Sequence, residues 1–133
     1  MRLENWPTLL NTYIESKRNT PFEWGVFDCL TFVHECTEEI TGRKLPRFYR
    51  GQYSDMRGAY RLIQKHGGFD EIYCKYFGPQ IPVNQARRGD LITHSSQTLP
   101  AAGVVIGTVA AFLGLNGLVF IDIKDCLKAW KVE

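Results

Sequence analysis

The sequence predicts an α+β fold, with helices first and a small antiparallel sheet after them. Up to about residue 80, apolar residues recur at the three- and four-residue spacing of amphipathic helices. From Ile81 the pattern changes to short runs rich in Val, Ile and Phe. Gly, Pro and Asn punctuate both halves at intervals that suit turns. Helices followed by strands, rather than alternating with them, is the α+β pattern.

The elements follow in order. Leu9, Leu10, Tyr13 and Ile14 predict a first helix over 6–17, and Pro7 suits its opening turn. Asn19-Thr-Pro21 breaks the chain, and the aromatic stretch Phe22 to Asp28 reads as a loop fixed on the core. A second helix is predicted over 29–41. Leu30, Phe32, Val33, Cys36 and Ile40 form its buried side, Asp28 its N-cap and Gly42 its stop. The stretch 43–53 is irregular, basic and aromatic. Met56, Ala59, Tyr60, Leu62 and Ile63 predict a third helix over 55–66, ended by Gly67-Gly68, and 69–77 a short fourth. Strands are predicted over 90–94, 103–109 and 117–122. Pro100 and Asn116-Gly117 supply turns, the latter a hairpin signal. Residues 125–130 form a final helical turn or a strand end.

Bulk properties narrow the function. The 133 residues suit one domain over the whole chain, 1–133. The composition, 44% apolar and 23% charged, is that of a globular fold. A net charge of +2 without a long Lys or Arg run argues against nucleic acid as a partner. The longest apolar stretch, Ala101 to Leu115, is broken by three glycines and falls short of the roughly 20 residues a bilayer span needs, so no membrane insertion is expected. Residues 1–7 hold no apolar core of a signal peptide, which carries the expectation of synthesis in the cytoplasm. The four cysteines, Cys29, Cys36, Cys74 and Cys126, form no Cys-x-x-Cys pair, and free thiols are expected. No cofactor is called for.

Cys29 is the leading chemical candidate. A thiol at a helix N-terminus feels the positive end of the helix dipole, which lowers its pKa and raises its nucleophilicity. Asp28 opposes that in part, and a small buried apolar residue is the plainer role for Cys29. A nucleophilic Cys also needs a base. His34 stands about 140° around the helix from Cys29 and is expected at the surface. His66 is expected to cap the third helix. His94, at the end of the first strand, is the His that could face Cys29 across a helix–sheet cleft. Arg87-Arg88-Gly89-Asp90 reads as a turn with solvated charges. Trp24, Phe22 and Phe27 either line a groove or belong to the core.

The string Phe22-Glu-Trp-Gly25-Val-Phe-Asp28-Cys29-Leu-Thr-Phe-Val resembles the catalytic segment of NlpC-type cell-wall cysteine peptidases. Arg88-Gly89-Asp90-Leu91-Ile92 and Ala101-Ala-Gly103-Val-Val-Ile-Gly107 are similar to two strands of that family, in the same order. The resemblance implies a papain-like α+β fold with Cys29 as nucleophile and peptidoglycan stem peptides as substrate. The position of the family's general-base His is Ala101 here, and Asp-Cys-Ser-Gly has become Asp28-Cys29-Leu30-Thr31. The catalytic pair, if there is one, is therefore Cys29 with His94.

A second resemblance runs nearly end to end. Leu3 to Pro7, Trp24 to Cys29, Arg88 to Asp90 and Cys126 to Trp130 are similar to segments of small proteins encoded in phage and prophage tail modules. It implies a virion component at the tail tip or baseplate, made in the host cytoplasm, with other tail proteins such as the hub as partners. Under this reading Phe48, Tyr49 and Tyr53, rimmed by Arg47 and Arg50, are candidates for an interface. The sequence thus leaves three functions open: a structural or accessory tail-tip protein on a degenerate peptidase scaffold, an active peptidoglycan endopeptidase, and a metal-binding tail protein using its cysteines.

Overall fold

A computed structural model describes residues 1–95 and 101–133. The described residues form four helices, α1 (Trp6–Lys17), α2 (Cys29–Thr41), α3 (Met56–Lys65) and α4 (Phe69–Phe77), and five strands, β1 (Leu91–His94), β2 (Ala101–Val105), β3 (Val109–Gly114), β4 (Gly117–Asp122) and β5 (Lys128–Trp130). The strands make one antiparallel sheet in the order β4-β3-β2-β1-β5. The fold is α+β, as the pattern predicts.

Local chemistry sets the helix ends. Asp28 and Asp55 cap α2 and α3 by accepting from the Thr31 and Gly58 N–H groups. Gly42 ends α2 in the left-handed region, at φ 75°. His66 is the C-cap of α3, and its ring lies 4.2 Å from that of Phe48. No helix among the described residues is long and apolar enough to cross a membrane.

The sheet departs from expectation in one place. The run 103–109 is not one strand: β2 ends at Val105, and β3 starts at Val109 and pairs back on it. Ile106 N–H donates to the Val109 carbonyl and closes the turn around Gly107-Thr108. The β3–β4 hairpin pairs Gly114 with Gly117 across a two-residue loop, so Gly117 opens β4 and Asn116 is in the turn. The C-terminal stretch is a 3₁₀ turn, Ile123–Asp125, followed by β5. Pro100 lies outside the described residues.

The pleat gives the sheet two lined faces. Leu91, Ala102, Val104, Ala111 and Trp130 pack with α1, α2, α3 and α4 in the main core. Ile92, Val105, Ala110, Phe112 and Ala129 form a smaller cluster on the other face. Helix α2 runs across β2 and is buried around most of its circumference. His34 is consequently not at the surface but fully buried, its ring edge-on to Tyr49 at 5.0 Å and to Tyr76 at 6.0 Å.

Two further expectations are corrected. Asp90 is not solvated: it is 2% exposed and accepts from Arg87 N, Val132 N and the Arg2 guanidinium. Tyr49 belongs to the core, and Arg47 bonds Glu38 and Tyr49 rather than rimming an open patch.

Candidate functional site

Cys29 is the first residue of α2, and the loop before it is built around Asp28. The Asp28 carboxylate is 1% exposed and spends both oxygens on the protein. Oδ1 accepts from Thr31 N at 3.2 Å, while Oδ2 accepts from Gly25 N at 3.0 Å and from the Tyr53 hydroxyl at 2.5 Å. Burial, with the Asp28 carboxylate next, raises the Tyr53 hydroxyl pKa well above its ordinary value, so it is a donor throughout the working pH range. Gly25 sits at φ 75°, where a Cβ would fall onto the Tyr53 carbonyl oxygen. The Gly51 N–H donates to the Gly25 carbonyl at 3.0 Å. Loop 22–28 and loop 51–53 are thus locked together beside the thiol.

A mostly apolar cavity of about 110 Å³ opens there. Phe22, Trp24 and Tyr53 form one wall, with ring centroids 4.6 Å apart for Phe22–Trp24 and 6.3 Å for Trp24–Tyr53. Met56, Ala59 and Ile63 of α3 form another. Cys29 and Leu30 close one end, and Ala101, Ala102 and Leu113 of the sheet complete the lining. Trp24 and Phe22 therefore line a groove, while Phe27 belongs to the core.

The electrostatics run against a nucleophile. Burial, and then the adjacent Asp28 charge, push the Cys29 thiol up to about 12. The backbone N–H groups of Ala102, Leu30 and Cys29 itself pull the other way and do not win. The expected lowering by the helix dipole is overturned because that dipole acts on a half-buried sulfur that has lost much of its hydration and stands next to an anion. At neutral pH the thiol form is therefore strongly favoured over the thiolate.

The structure does not bring His94 to Cys29. His94 pairs with Ala101 across β1–β2, and its ring stands 6.0 Å from Phe112, on the sheet face of the smaller cluster. Cys29 packs with the opposite face, where Ala102 pairs with Thr93. His94 does not line the cavity. Ala101 and Ala102, which do, carry no base.

The other cysteines stand apart. All four are free thiols, with Cys36 buried, Cys126 half-buried and Cys74 exposed beside the Trp130 indole N–H. Burial raises Cys36, and burial with Asp125 and Asp122 raises Cys126 to about 11. Among the described residues no three His, Cys, Asp or Glu side chains are grouped to hold a metal ion.

Residues 1–132 match a family described as a domain of unknown function (DUF6950). The chain belongs to this family. No curated protein matches it. The family domain takes in every element described above, from α1 to β5.

Sequence reasoning singled out Cys29, Asp28, Phe22 and Trp24, and all four meet here. It missed Tyr53 as the partner of Asp28, since nothing in 43–53 marks one hydroxyl for a carboxylate 25 residues away. It also missed the α3 wall, although Met56, Ala59 and Ile63 at i, i+3 and i+7 were a readable stripe.

Proposed function

We propose that this protein is a structural or accessory component of a phage tail tip or baseplate, built on an NlpC-type, papain-like scaffold that has lost its catalytic base. One observation carries the reading. The candidate nucleophile stands at the start of α2, against β2, but its thiol is raised to about 12 and lies against Ala102, with no His lining the cavity. A cysteine hydrolase needs a thiolate or a base that makes one. Loss of the base from such a unit costs orders of magnitude in rate. The Asp28–Gly25–Tyr53 network then serves to hold the loops of the cavity rather than to activate the thiol. The tail assignment draws support from the end-to-end resemblance in segments Leu3 to Pro7 and Cys126 to Trp130.

Two measurements test this reading. Peptidoglycan incubated with the wild-type chain and with Cys29→Ala, read by mass spectrometry, is expected to yield no stem-peptide fragments from either. Fragments made by the wild type and absent with Cys29→Ala would establish the peptidase instead. Mass spectrometry of purified tail particles is expected to detect the chain, and its absence would end the tail assignment.

A further inference from the structure

The cavity beside Cys29 is largely enclosed, and the fold gains nothing by leaving it open. Among the described residues that line it, Met56 alone is exposed; Asp28, Leu30, Ala59, Ile63 and Ala102 are buried, and the others are half-buried. Three of the lining residues, Ala59, Ala101 and Ala102, are alanines, and a larger apolar side chain at one of them would take up the space. An unfilled space among packed side chains forfeits dispersion contacts and so costs stability. Stability alone therefore does not account for the cavity.

The lining says what the space accepts. Its one charged side chain is Asp28, and both oxygens of that carboxylate are already engaged by Thr31 N, Gly25 N and the Tyr53 hydroxyl. The Cys29 thiol is neutral at working pH. An anion would be repelled by Asp28. A cation would lose its hydration next to a carboxylate whose oxygens are already taken. A neutral polar molecule would find, among the lining side chains, only the weak donor of a thiol. A neutral apolar molecule gives up no hydrogen bond on entry.

Shape and size narrow the occupant further. Phe22 and Trp24 meet edge-to-face at 4.6 Å, and Tyr53 stands 6.3 Å from Trp24 at 68°. Aromatic rings favour edge-to-face and offset contacts with another ring, and a Met sulfur favours a ring edge. At about 110 Å³ the cavity is of the same order as an apolar cavity of about 150 Å³ that takes up benzene. With Met56 as the one exposed lining residue, a protein surface would find little rim to pack on, so the occupant enters whole. We infer that the cavity binds a small neutral aromatic molecule of a single ring, held against Phe22, Trp24 and Tyr53 and admitted past the flexible side chain of Met56. The inference goes beyond the assembly reading and does not depend on it.

The test titrates the full chain with toluene and follows its amide signals by NMR. Three companions share the ring or its size: benzoate, benzylammonium and methylcyclohexane. Toluene is expected to give saturable shifts confined to loop 22–28, the start of α2, α3 and Ala101-Ala102. Benzoate and benzylammonium are expected to bind about tenfold or more weakly, because each must bring a charge out of water. Methylcyclohexane, which has the size but not the ring quadrupole, is expected to bind more weakly than toluene. Ala59→Leu fills the cavity and is expected to abolish saturation. No saturation in the wild type, shifts mapping elsewhere, equal binding of either charged companion, tighter binding of methylcyclohexane, or unchanged affinity in Ala59→Leu would each overturn the inference. If Ala59→Leu does not fold, Met56→Ala decides in its place: it removes part of a wall at an exposed position and is expected to weaken toluene several-fold, and unchanged affinity there counts against the site. A chain that binds toluene and also cuts peptidoglycan keeps this site and loses the scaffold reading. One that is found in tail particles but does not bind toluene loses this site alone.

Discussion

His34 is fully buried, and neither ring nitrogen has a hydrogen-bond partner among the described residues. Burial, and then the Arg47 guanidinium, lower its pKa from 6.5 to about 4. The unfolded imidazole takes up a proton near 6.5 while the folded one stays neutral until about 4. Above 6.5 both states are neutral and the full stability is present. Between 6.5 and 4 only the unfolded chain is charged, so stability falls as pH falls, by about 3 kcal/mol in all. Urea midpoints measured across this window should show that slope. His34→Phe keeps an aromatic ring between Tyr49 and Tyr76 and removes the titration, so its slope should be flatter than the wild type's by that amount. Equal slopes would mean that water or a rearranged neighbour serves His34. The sequence did not reveal this residue. Rotation about one helix axis says only that His34 points away from Cys29. Whether that direction meets solvent depends on the 43–53 stretch and α4, which bring Tyr49 and Tyr76 over it. Cys29 fails for a related reason: its place at a helix start is local and readable, whereas its burial against Ala102 depends on a strand more than 70 residues on.

At the scale of elements, the sequence was most readable where caps and periodicity agree. Helices α1, α2 and α4 stand at their expected ends, because Pro7, Asp28, Gly42 and Gly68 bracket apolar positions at helical spacing. It was least readable where two strands share one apolar run. Nothing in the side chains of 101–114 distinguishes one strand from two, and only Gly107-Thr108 marks the turn. The loop before α2 gives a sharper test of what an element needs. Gly25 combines φ 75° with backbone contact, since its Cβ position is already held by the Tyr53 carbonyl. Gly51 has φ 70° but an open Cβ position. Alanine at Gly51 should cost only the left-handed strain, roughly 1 kcal/mol. Alanine at Gly25 must also part the two loops and break the Asp28 bond, so a loss on the order of 2 kcal/mol or more is expected. Thermal melts of the two variants compare these directly. Similar losses would show that the loops can separate without cost, and that the Asp28 network does not hold the cavity wall.

The whole molecule is tied together by Arg2, which joins the beginning of the chain to its end. Its Nε donates to the Val132 carbonyl at 2.8 Å and Nη1 to the Arg88 carbonyl at 2.6 Å, while Nη2 pairs with Asp90 Oδ1 at 2.8 Å. The guanidinium also lies 4.3 Å from the Trp6 ring centroid. A Cβ on Gly89 would press against the same guanidinium, so glycine there leaves room for the clamp. One planar fork thus gathers α1, the turn before β1 and the residues after β5. Asp90 is the reason the clamp matters. Its carboxylate is 2% exposed and carries the Val132 N–H and the Arg87 N–H as well as Arg2. Without the cation, a buried charge would remain with only neutral donors. Arg2→Ala is therefore expected to lose about 3 kcal/mol in chemical denaturation. Arg2→Lys should recover little, because a single ammonium cannot reach two carbonyls and a carboxylate in one plane. Arg2→Ala combined with Asp90→Asn removes the stranded charge, and should be less damaging than the sum of the two single changes. Additive losses would place the two residues in separate roles, with the ends of the chain held by packing of Trp6 and Trp130 alone.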